Sequence, residues 1–468
     1  MGIRHYLKDR FAFENFSEVA LEKPVGADVN WLFTLGSLSL FLFLVQAATG
    51  IILAAYYVPS PEHAYQSVDY IVKEVPFGSV VHGIHHWSAS FMVVVVFLHM
   101  CRVFFYGSYK APREITWITG VLLFVITLAF GFTGYLLPWD LKAYWATVVG
   151  TSVPKDIPVI GNFLVGLLRG SDEVSGLTLT RFYSIHMLLL PSLMMILIGI
   201  HIYLLRIHDM AGHWNDQDPR KKVKHPFFPD HVLKDSIVAA AVFGVILILA
   251  IVAEPTREEV AGTIDPEYLP RPEWYFMWLF KILTYFSGKA EIIGSLAIPI
   301  GGLVLLLLLP FLGKTTLRSP ADRPATTAIG IMLIMGLIYT SAMGIADSQP
   351  YGQIAVIPDR TLTEKEMMGV RVWVDRDCAY CHTVKGRGGR REGPDLSNVL
   401  AKDRTRDWII KYIKDPKSVN KWSVMPKYDL SDSELNVLGD YILALDFKRF
   451  ELKTVSRDHV LSDFPKVP

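Results

Sequence analysis

Three residues in the C-terminal part of this 468-residue chain have the types and spacing needed to hold a redox group. Cys378, Cys381 and His382 form a Cys-x-x-Cys-His sequence. Two thiols at this spacing attach a haem through thioether bonds, and the adjacent imidazole binds its iron. A disulfide between the two cysteines is therefore not expected. Cys101 lies alone in an apolar run and is expected to be a core thiol.

A haem held in this way needs a second axial ligand. Met425 stands before a proline and a predicted terminal helix, and ligation by methionine and histidine raises the reduction potential of a haem. Met367 and Met368 precede the motif on a predicted helix and are expected to be packing residues. The sequence therefore predicts one covalent haem c with Met425 as its distal ligand.

Four histidines on two apolar segments form a second set. His85 and His99 are fourteen residues apart, and His186 and His201 are fifteen apart. Both separations are close to four helical turns, so each pair lies roughly on one face of its helix with a rise of about 21–22 Å. A single histidine in an apolar helix is more often a hydrogen-bonded core residue than a ligand. Four histidines at matched depths instead favour two non-covalent haems b, one in each leaflet.

Two glycine pairs repeat the spacing of the histidines. Gly36 and Gly50, and likewise Gly120 and Gly134, are each separated by fourteen residues. A missing side chain lets a flat macrocycle approach the backbone. Glycine is also common where membrane helices touch, so these pairs are informative only because their spacing matches that of the histidines.

The elements that must position these residues are membrane helices. The chain is 51% hydrophobic and 19% charged with net charge +1, which is typical of polytopic membrane proteins and gives no indication of nucleic-acid binding. Seven apolar runs are long enough to cross a bilayer of about 30 Å. They cover residues 31–57, 79–105, 115–137, 182–205, 236–253, 292–312 and 326–346.

Positive charge predicts the direction in which the chain crosses the membrane. The N-terminal segment and the loops on its side contain 15 Lys and Arg in 82 residues, against 8 in 104 on the other side. This places the N-terminus in the cytoplasm, at the bacterial inner membrane, and the C-terminal tail outside. Covalent haem attachment is an extracytoplasmic modification in bacteria, so motif and topology agree. His85 and His186 are then expected at the outer haem b, and His99 and His201 at the inner one.

The sequence pattern predicts six segments. After Asp347, apolar periodicity gives way to charged helical segments, which indicates a membrane domain followed by a small soluble domain. The fold class is predicted to be all-α. We expect a cytoplasmic segment at 1–30, a four-helix di-haem core at 31–210, a three-helix membrane part at 211–346, a linker at 347–369, a cytochrome c domain at 370–447 and an irregular polar extension at 448–468.

The membrane part of the sequence resembles cytochrome b of the quinol-oxidising cytochrome bc family. Besides the histidines, the resemblance rests on "GYLLPWDLKAYWA", "LTRFYSIHMLLLP" and above all "PEWYF" at 272–276, and it covers nearly all of residues 1–346. The fifteen-residue separation of His186 and His201 and the sequence "HHWSAS" resemble those of the family branch that serves plastoquinol and many menaquinol complexes. The tail resembles a class I cytochrome c, so the chain is similar to a cytochrome b with its cytochrome c acceptor fused on.

Two positions depart from that branch. Thr34 stands where relatives often have a cysteine that anchors an extra haem, so a third, covalent membrane haem is not expected. His82 stands where relatives usually have an arginine near a haem propionate. Arg102 and Arg206 match basic positions beside the inner haem, although a charge at a helix end can also extend to the membrane surface without a ligand.

The resemblance implies a quinol site near the outer face. Glu273 is the expected proton acceptor. The alternative is that this single glutamate is a solvated residue at the rim of the aromatic loop. Tyr275 is the expected hydrogen-bonding or packing partner of the quinone. Other expected residues are Tyr135, Trp139, Pro272 and Trp274 in the quinol pocket, and His208 and Asp209 at an inner quinone site, where an interfacial loop is an equal alternative.

The resemblance also implies a Q cycle. One electron from quinol goes to a Rieske iron–sulfur protein, and the other crosses through the two b haems to quinone near the cytoplasmic face. No Cys-x-His pair occurs in the sequence outside the haem c motif, so the Rieske protein is expected to be a separate subunit. A downstream cytochrome c or oxidase, the quinone pool, membrane lipid and a second copy of the complex are the other expected partners.

Two other functions compete with this one. A passive haem-bearing anchor would pass electrons between a dehydrogenase and the quinone pool, but such an anchor does not need "PEWYF". A degenerate assembly or scaffold protein would be expected to have lost haem ligands, and all six are present.

Overall fold

The structure, a computed structural model, describes most of the chain. The described residues are 24–157, 159–171, 173–215, 217–261, 271–286, 290–312, 316–346, 354–385, 387–388, 393, 395–396, 404–420, 423, 425–445 and 451–467. The chain forms two compact units. The first comprises residues 1–147, 157–261 and 296–337, and the second comprises 148–156, 262–295 and 338–468.

Seven helices in the described ranges are long and apolar enough to cross a membrane. Spans 1 to 7 are Trp31–Ala54, Gly78–Phe105, Glu114–Tyr135, Gly176–His208, Phe227–Val252, Ile293–Phe311 and Pro324–Ala346. The prediction of an all-α membrane bundle with a helical C-terminal domain is confirmed. Spans 4 and 5 begin earlier than their apolar runs. Span 4 starts with the more polar helix Gly176–Ser184, and the range of span 5 includes a kink at Phe228, where the backbone is not helical.

Span 2 is central to the first unit. It packs against spans 1 and 5, while span 3 packs against span 4. Leu42, Met194 and Ile246 have at most 2% of their surface exposed and mark the apolar core among these helices. The Gln46 amide of span 1 donates to the His85 carbonyl (2.6 Å) and to the Ser88 hydroxyl (2.7 Å) of span 2. Because an amide between apolar helices needs such acceptors, these bonds fix the register of the two spans.

Shorter elements connect the spans. The connecting helices include Ala64–Lys73, Leu141–Ser152, Gly161–Arg169 and, before span 6, Trp274–Phe276 and Met277–Leu283. Strand β1 (Val25–Gly26) pairs with strand β2 (Lys224–His225) in antiparallel orientation.

The helical domain of the second unit is built around two capped helices. Helices Glu364–Asp375 and Asp432–Ala444 both begin with a capping box, which the sequences T-x-x-E and S-x-x-E supply. Gly369 lets the two helices approach, since a Cβ there would collide with the Val437 carbonyl oxygen. The other helices among the described residues of this domain are Cys378–Cys381, Arg406–Lys414, Pro416–Val419 and Arg457–Asp463. Strand β4 (Thr383–Val384) pairs antiparallel with strand β5 (Arg387–Gly388).

The C-terminal extension differs from the irregular segment that the sequence predicts. Strand β6 (Leu452–Ser456) pairs antiparallel with strand β3 (Ile354–Pro358), which lies in the expected linker, and helix Arg457–Asp463 follows. The buried Tyr441 hydroxyl donates to the Val356 carbonyl of β3 at 2.6 Å. The described parts of the expected linker and of the C-terminal extension therefore belong to the packed domain. Polar residues hid strand β6, in which Leu452 is buried while Lys453 and Thr454 are exposed.

Candidate haem and quinol sites

The four histidines lie on spans 2 and 4 and meet in two pairs. The His85 ring lies near the His186 ring, and the His99 ring lies near the His201 ring. These are the two pairs that the sequence predicts as axial ligands. Each pair therefore offers one imidazole from span 2 and one from span 4, at one of two depths in the bundle.

Each predicted glycine lies against one of these imidazoles. A Cβ added at Gly36 would lie 3.1 Å from the Cε1 atom of His99, and one added at Gly50 would lie 3.3 Å from the Cε1 atom of His85. A Cβ at Gly120 would lie 3.2 Å from the Cε1 atom of His201, and one at Gly134 would lie 2.7 Å from the Cε1 atom of His186. The glycines on spans 1 and 3 thus make room for the edge of the imidazole ring itself, in addition to any room they leave for a macrocycle.

Three threonines that sequence reasoning missed fix the orientation of the rings. The Oγ1 atoms of Thr49, Thr119 and Thr133 lie 2.8, 2.9 and 2.8 Å from the Nδ1 atoms of His85, His201 and His186. Each threonine hydroxyl donates to a carbonyl of its own helix. The oxygen is therefore an acceptor for an Nδ1–H group, which leaves Nε2 as the nitrogen able to bind iron. Each threonine directly precedes a site glycine, so the signal was a repeated Thr-Gly dipeptide.

His99 is the exception to this pattern. Leu35, which has no hydroxyl, precedes Gly36, and the His99 Nδ1 atom lies 3.4 Å from the Arg102 guanidinium. The same guanidinium lies 4.4 Å from the centre of the Phe33 ring. The structure therefore places Arg102 beside the pair His99 and His201, whereas Arg206 lies 4.5 Å over the Phe227 ring.

A π turn in span 4 accounts for the fifteen-residue gap. In the turn Ile185–Leu189, the Leu190 N–H donates to the Ile185 carbonyl, five residues back instead of four. Such a turn accommodates one extra residue within an α-helix and is frequent at functional sites. His186 and His201 consequently keep a relative direction close to that of the fourteen-residue pair on span 2.

The Cys-x-x-Cys-His motif forms a short helix followed by an extended residue. Cys378–Cys381 is helical and His382 is extended. The Gly393 N–H donates to the Cys381 carbonyl at 3.0 Å, and a Cβ at Gly393 would collide with the His382 ring. Gly393 is therefore a close-packing residue at the histidine. Pro394, Arg390 and Arg391, which the sequence places beside the motif, lie outside the described residues.

The predicted distal ligand lies in the same packed domain. Met425 and Cys378 both pack against the apolar core of this domain. Burial, followed by the charges of Cys381 and Asp377, raises the pKa of the Cys378 thiol to about 12. A thiol held protonated at neutral pH is a poor nucleophile. The Cys378 thiol is therefore not a reactive thiolate at neutral pH.

The PEWYF loop belongs to the second unit. Glu273 is half-buried and precedes the turn Trp274–Phe276, and its carbonyl accepts the Phe276 N–H at 2.8 Å. The Tyr275 ring makes edge contacts with Trp274 and Phe276, with centroid distances of 5.4 and 4.9 Å. Pro272 is half-buried beside them, so the loop presents one carboxylate among aromatic rings.

The other predicted quinol-pocket residues lie in the first unit. Tyr135 ends span 3 and makes an edge contact with Phe132. Trp139 is 5% exposed and has a positive φ of 55°. The Tyr57 hydroxyl donates to the Leu137 carbonyl at 2.7 Å and so holds the turn that leads to Trp139.

The predicted inner-site residues end span 4. Arg113 donates to the His208 carbonyl (3.1 Å) and to the Asp209 carbonyl (3.0 Å). Asp209 has a positive φ of 59°, which ends the helix. The structure therefore brings both residues together at one cationic side chain.

The order of these sites along the chain matches three family models. They are described as cytochrome b/b6/petB at residues 20–210, cytochrome b (C-terminal)/b6/petD at 266–361 and cytochrome c at 367–446. A cytochrome bc complex cytochrome b subunit from Chlorobaculum thiosulfatiphilum is 38% identical over 320 residues, which are 68% of this chain and 74% of the relative.

Two further comparisons extend this match. Cytochrome b6 from Prochlorococcus marinus (strain NATL1A) is 44% identical over 207 residues, which are 44% of this chain and 95% of the relative. A chain of a solved structure titled "Hyperthermophilic respiratory Complex III" is 27% identical with a TM-score of 0.64. The match covers 75% of this chain and 92% of that one.

Proposed function

We infer the function from one premise: the chain belongs to the cytochrome b family of cytochrome bc complexes and carries a fused cytochrome c domain. It is a membrane protein, and its two kinds of domain imply haem b and haem c. We propose that it is the fused b/c subunit of a proton-translocating quinol:cytochrome c reductase. It works with a separate Rieske protein in a homodimeric complex at a bacterial inner membrane, and the cytochrome c domain lies outside.

The paired histidines are the observation that carries this proposal. Two imidazole pairs, whose ring orientation is fixed at three of four positions by threonine acceptors, fit two haem irons. His85 with His186 would hold the outer haem b and His99 with His201 the inner one, while Cys378, Cys381, His382 and Met425 would hold haem c. When bound, these haems supply one-electron redox centres that separate the two electrons of a quinol.

The protein's own groups bind quinol and move protons in this proposal. Oxidation of a quinol releases two electrons and two protons, and Glu273 accepts a proton at its carboxylate. Tyr275 and its aromatic neighbours pack against the ring and exclude water. His208 and Asp209 serve the inner site, where quinone takes up protons from the cytoplasm, so protons are released outside and consumed inside.

The test of the function is quinol-driven reduction in the purified complex. We expect pyridine haemochrome spectra to give a haem b to haem c ratio of two to one, and quinol to reduce both haem types when the inner site is blocked. A passive anchor would show reduction of haem b alone. A second covalent haem would contradict the inference from Thr34, whose hydroxyl instead donates to the Trp31 carbonyl at 2.7 Å.

Replacing Met425 tests the assignment of the distal ligand. Met425→Ala should leave haem c attached, because both thioethers and His382 remain, but should lower its reduction potential because the sulfur ligand is lost. Redox titration followed by the haem c absorption measures this change. Met367→Ala is the control and should not remove an axial ligand. An unchanged potential in the Met425 variant would place the distal ligand elsewhere.

A further inference from the structure

The C-terminal extension reaches the haem c motif. After strand β6, helix Arg457–Asp463 packs on helix Glu364–Asp375, and its Val460 is fully buried in the core of the domain. The Arg371 guanidinium donates to the Leu461 and Phe464 carbonyls. These contacts hold the extension against the helix that leads directly into the motif.

Three consecutive charged residues stand immediately before Cys378, and each forms an ion pair. Asp375 pairs with Arg371 at 3.1 Å and Arg376 with Glu434 at 2.9 Å, but the side chains of Asp375 and Arg376 are 43% and 38% exposed. The Asp377 side chain is only 6% exposed, and its partner is Arg457 at the start of the extension helix. Asp377 is therefore the buried charge of the three, and the extension supplies its counter-charge.

Asp377 lies where its charge would affect the reduction potential of a haem attached at Cys378. Its φ of 50° places it in the left-handed region just before the helix Cys378–Cys381, and its charge is one of the causes that raise the pKa of the Cys378 thiol. A carboxylate close to a haem stabilises the ferric form, which carries one more positive charge than the ferrous form. A paired cation opposes this effect, and burial weakens the screening of both charges.

We propose that Arg457 is a positioning residue that pairs with Asp377 and keeps the reduction potential of haem c high. This inference rests on the proposed covalent haem at Cys378 and Cys381. It assigns to the extension a role in setting the driving force for electron transfer into haem c. Removal of Arg457 shifts the potential down, and removal of the Asp377 charge shifts it up.

The test is a spectroelectrochemical titration of haem c in the purified complex. Arg457→Gln should lower the potential, changing the ratio of oxidised to reduced haem c at a fixed ambient potential on the order of tenfold. For a one-electron couple this equals about 59 mV. Asp377→Asn should shift the potential in the opposite direction. Arg457→Lys, which keeps the positive charge, should restore most of the wild-type value.

The double variant separates electrostatics from packing. Asp377→Asn combined with Arg457→Gln removes both charges and should return the potential close to that of the wild type. Lys453→Gln is the matched control, because this cation of the same extension pairs with Asp359 where both side chains are half exposed, and it should leave the potential unchanged.

Several results would overturn the inference. The two single variants could shift the potential in the same direction, the double variant could keep the low potential of Arg457→Gln, or Arg457→Gln could have no effect. Absence of covalent haem from the wild-type chain is a different outcome, since it would refute the proposed function rather than the role of Arg457.

Discussion

Replacing Glu273 with glutamine should slow quinol-driven reduction of haem c by about 10²-fold, the lower end of the usual range for losing a general base. Glutamine keeps the shape and polarity of the side chain but cannot take a proton at neutral pH. Glu273 is half-buried beside the aromatic turn Trp274–Phe276, so a proton released there has this carboxylate as a nearby acceptor.

The Glu273 experiment separates chemistry from folding. Dithionite should still reduce all haems in the variant, because it needs no quinol site, while stopped-flow traces with quinol should show the slow rate. Glu291→Gln is a matched control, since Glu291 is an exposed carboxylate of the same unit outside the PEWYF loop. Wild-type rates of quinol oxidation in Glu273→Gln would leave this residue as a solvated rim group.

The membrane helices were predictable because a helix that crosses lipid leaves a long apolar run in the sequence. A crossing helix needs a long apolar run whatever its neighbours are, so all seven spans were found from composition. The histidine pairs were predictable because the periodicity of a helix converts sequence spacing into depth and direction.

The π turn at His186 could not be read from spacing alone. Fifteen residues at about 100° each would rotate His201 away from the direction that fourteen residues give. The extra residue is absorbed at Ile185–Leu189, and the sequence of an apolar helix does not show where one hydrogen bond lengthens. Pro191, which lacks an N–H, follows this turn closely.

The threonines and the extension were missed for different reasons. Thr49, Thr119 and Thr133 are short polar residues in membrane helices, which usually bond to their own backbone. Only the structure shows that the same oxygen also meets a histidine of another span. Strand β6 depends on a partner almost a hundred residues earlier in the chain, and no local pattern encodes that pairing.

The second large effect is expected from a substitution at Gly134, because among the four site glycines an added Cβ would come closest to a histidine here. A Cβ at this position would lie 2.7 Å from the Cε1 atom of His186 and 3.4 Å from its Nδ1 atom. The ring has little freedom to move, since Thr133 holds its Nδ1 atom at 2.8 Å. Gly134→Ala should therefore displace the imidazole and abolish binding of the outer haem b.

The expected measurement is a fall in the haem b to haem c ratio from two to about one, with loss of quinol-driven reduction of the remaining haem b. Helix propensity acts in the opposite direction, because alanine stabilises a helix interior by about 1 kcal/mol relative to glycine. Gly199→Ala in span 4 is the control, since a Cβ there meets no atom within 4 Å and both b haems should remain. Retention of two b haems with unchanged spectra in Gly134→Ala would show that the His186 ring lies elsewhere when iron is bound.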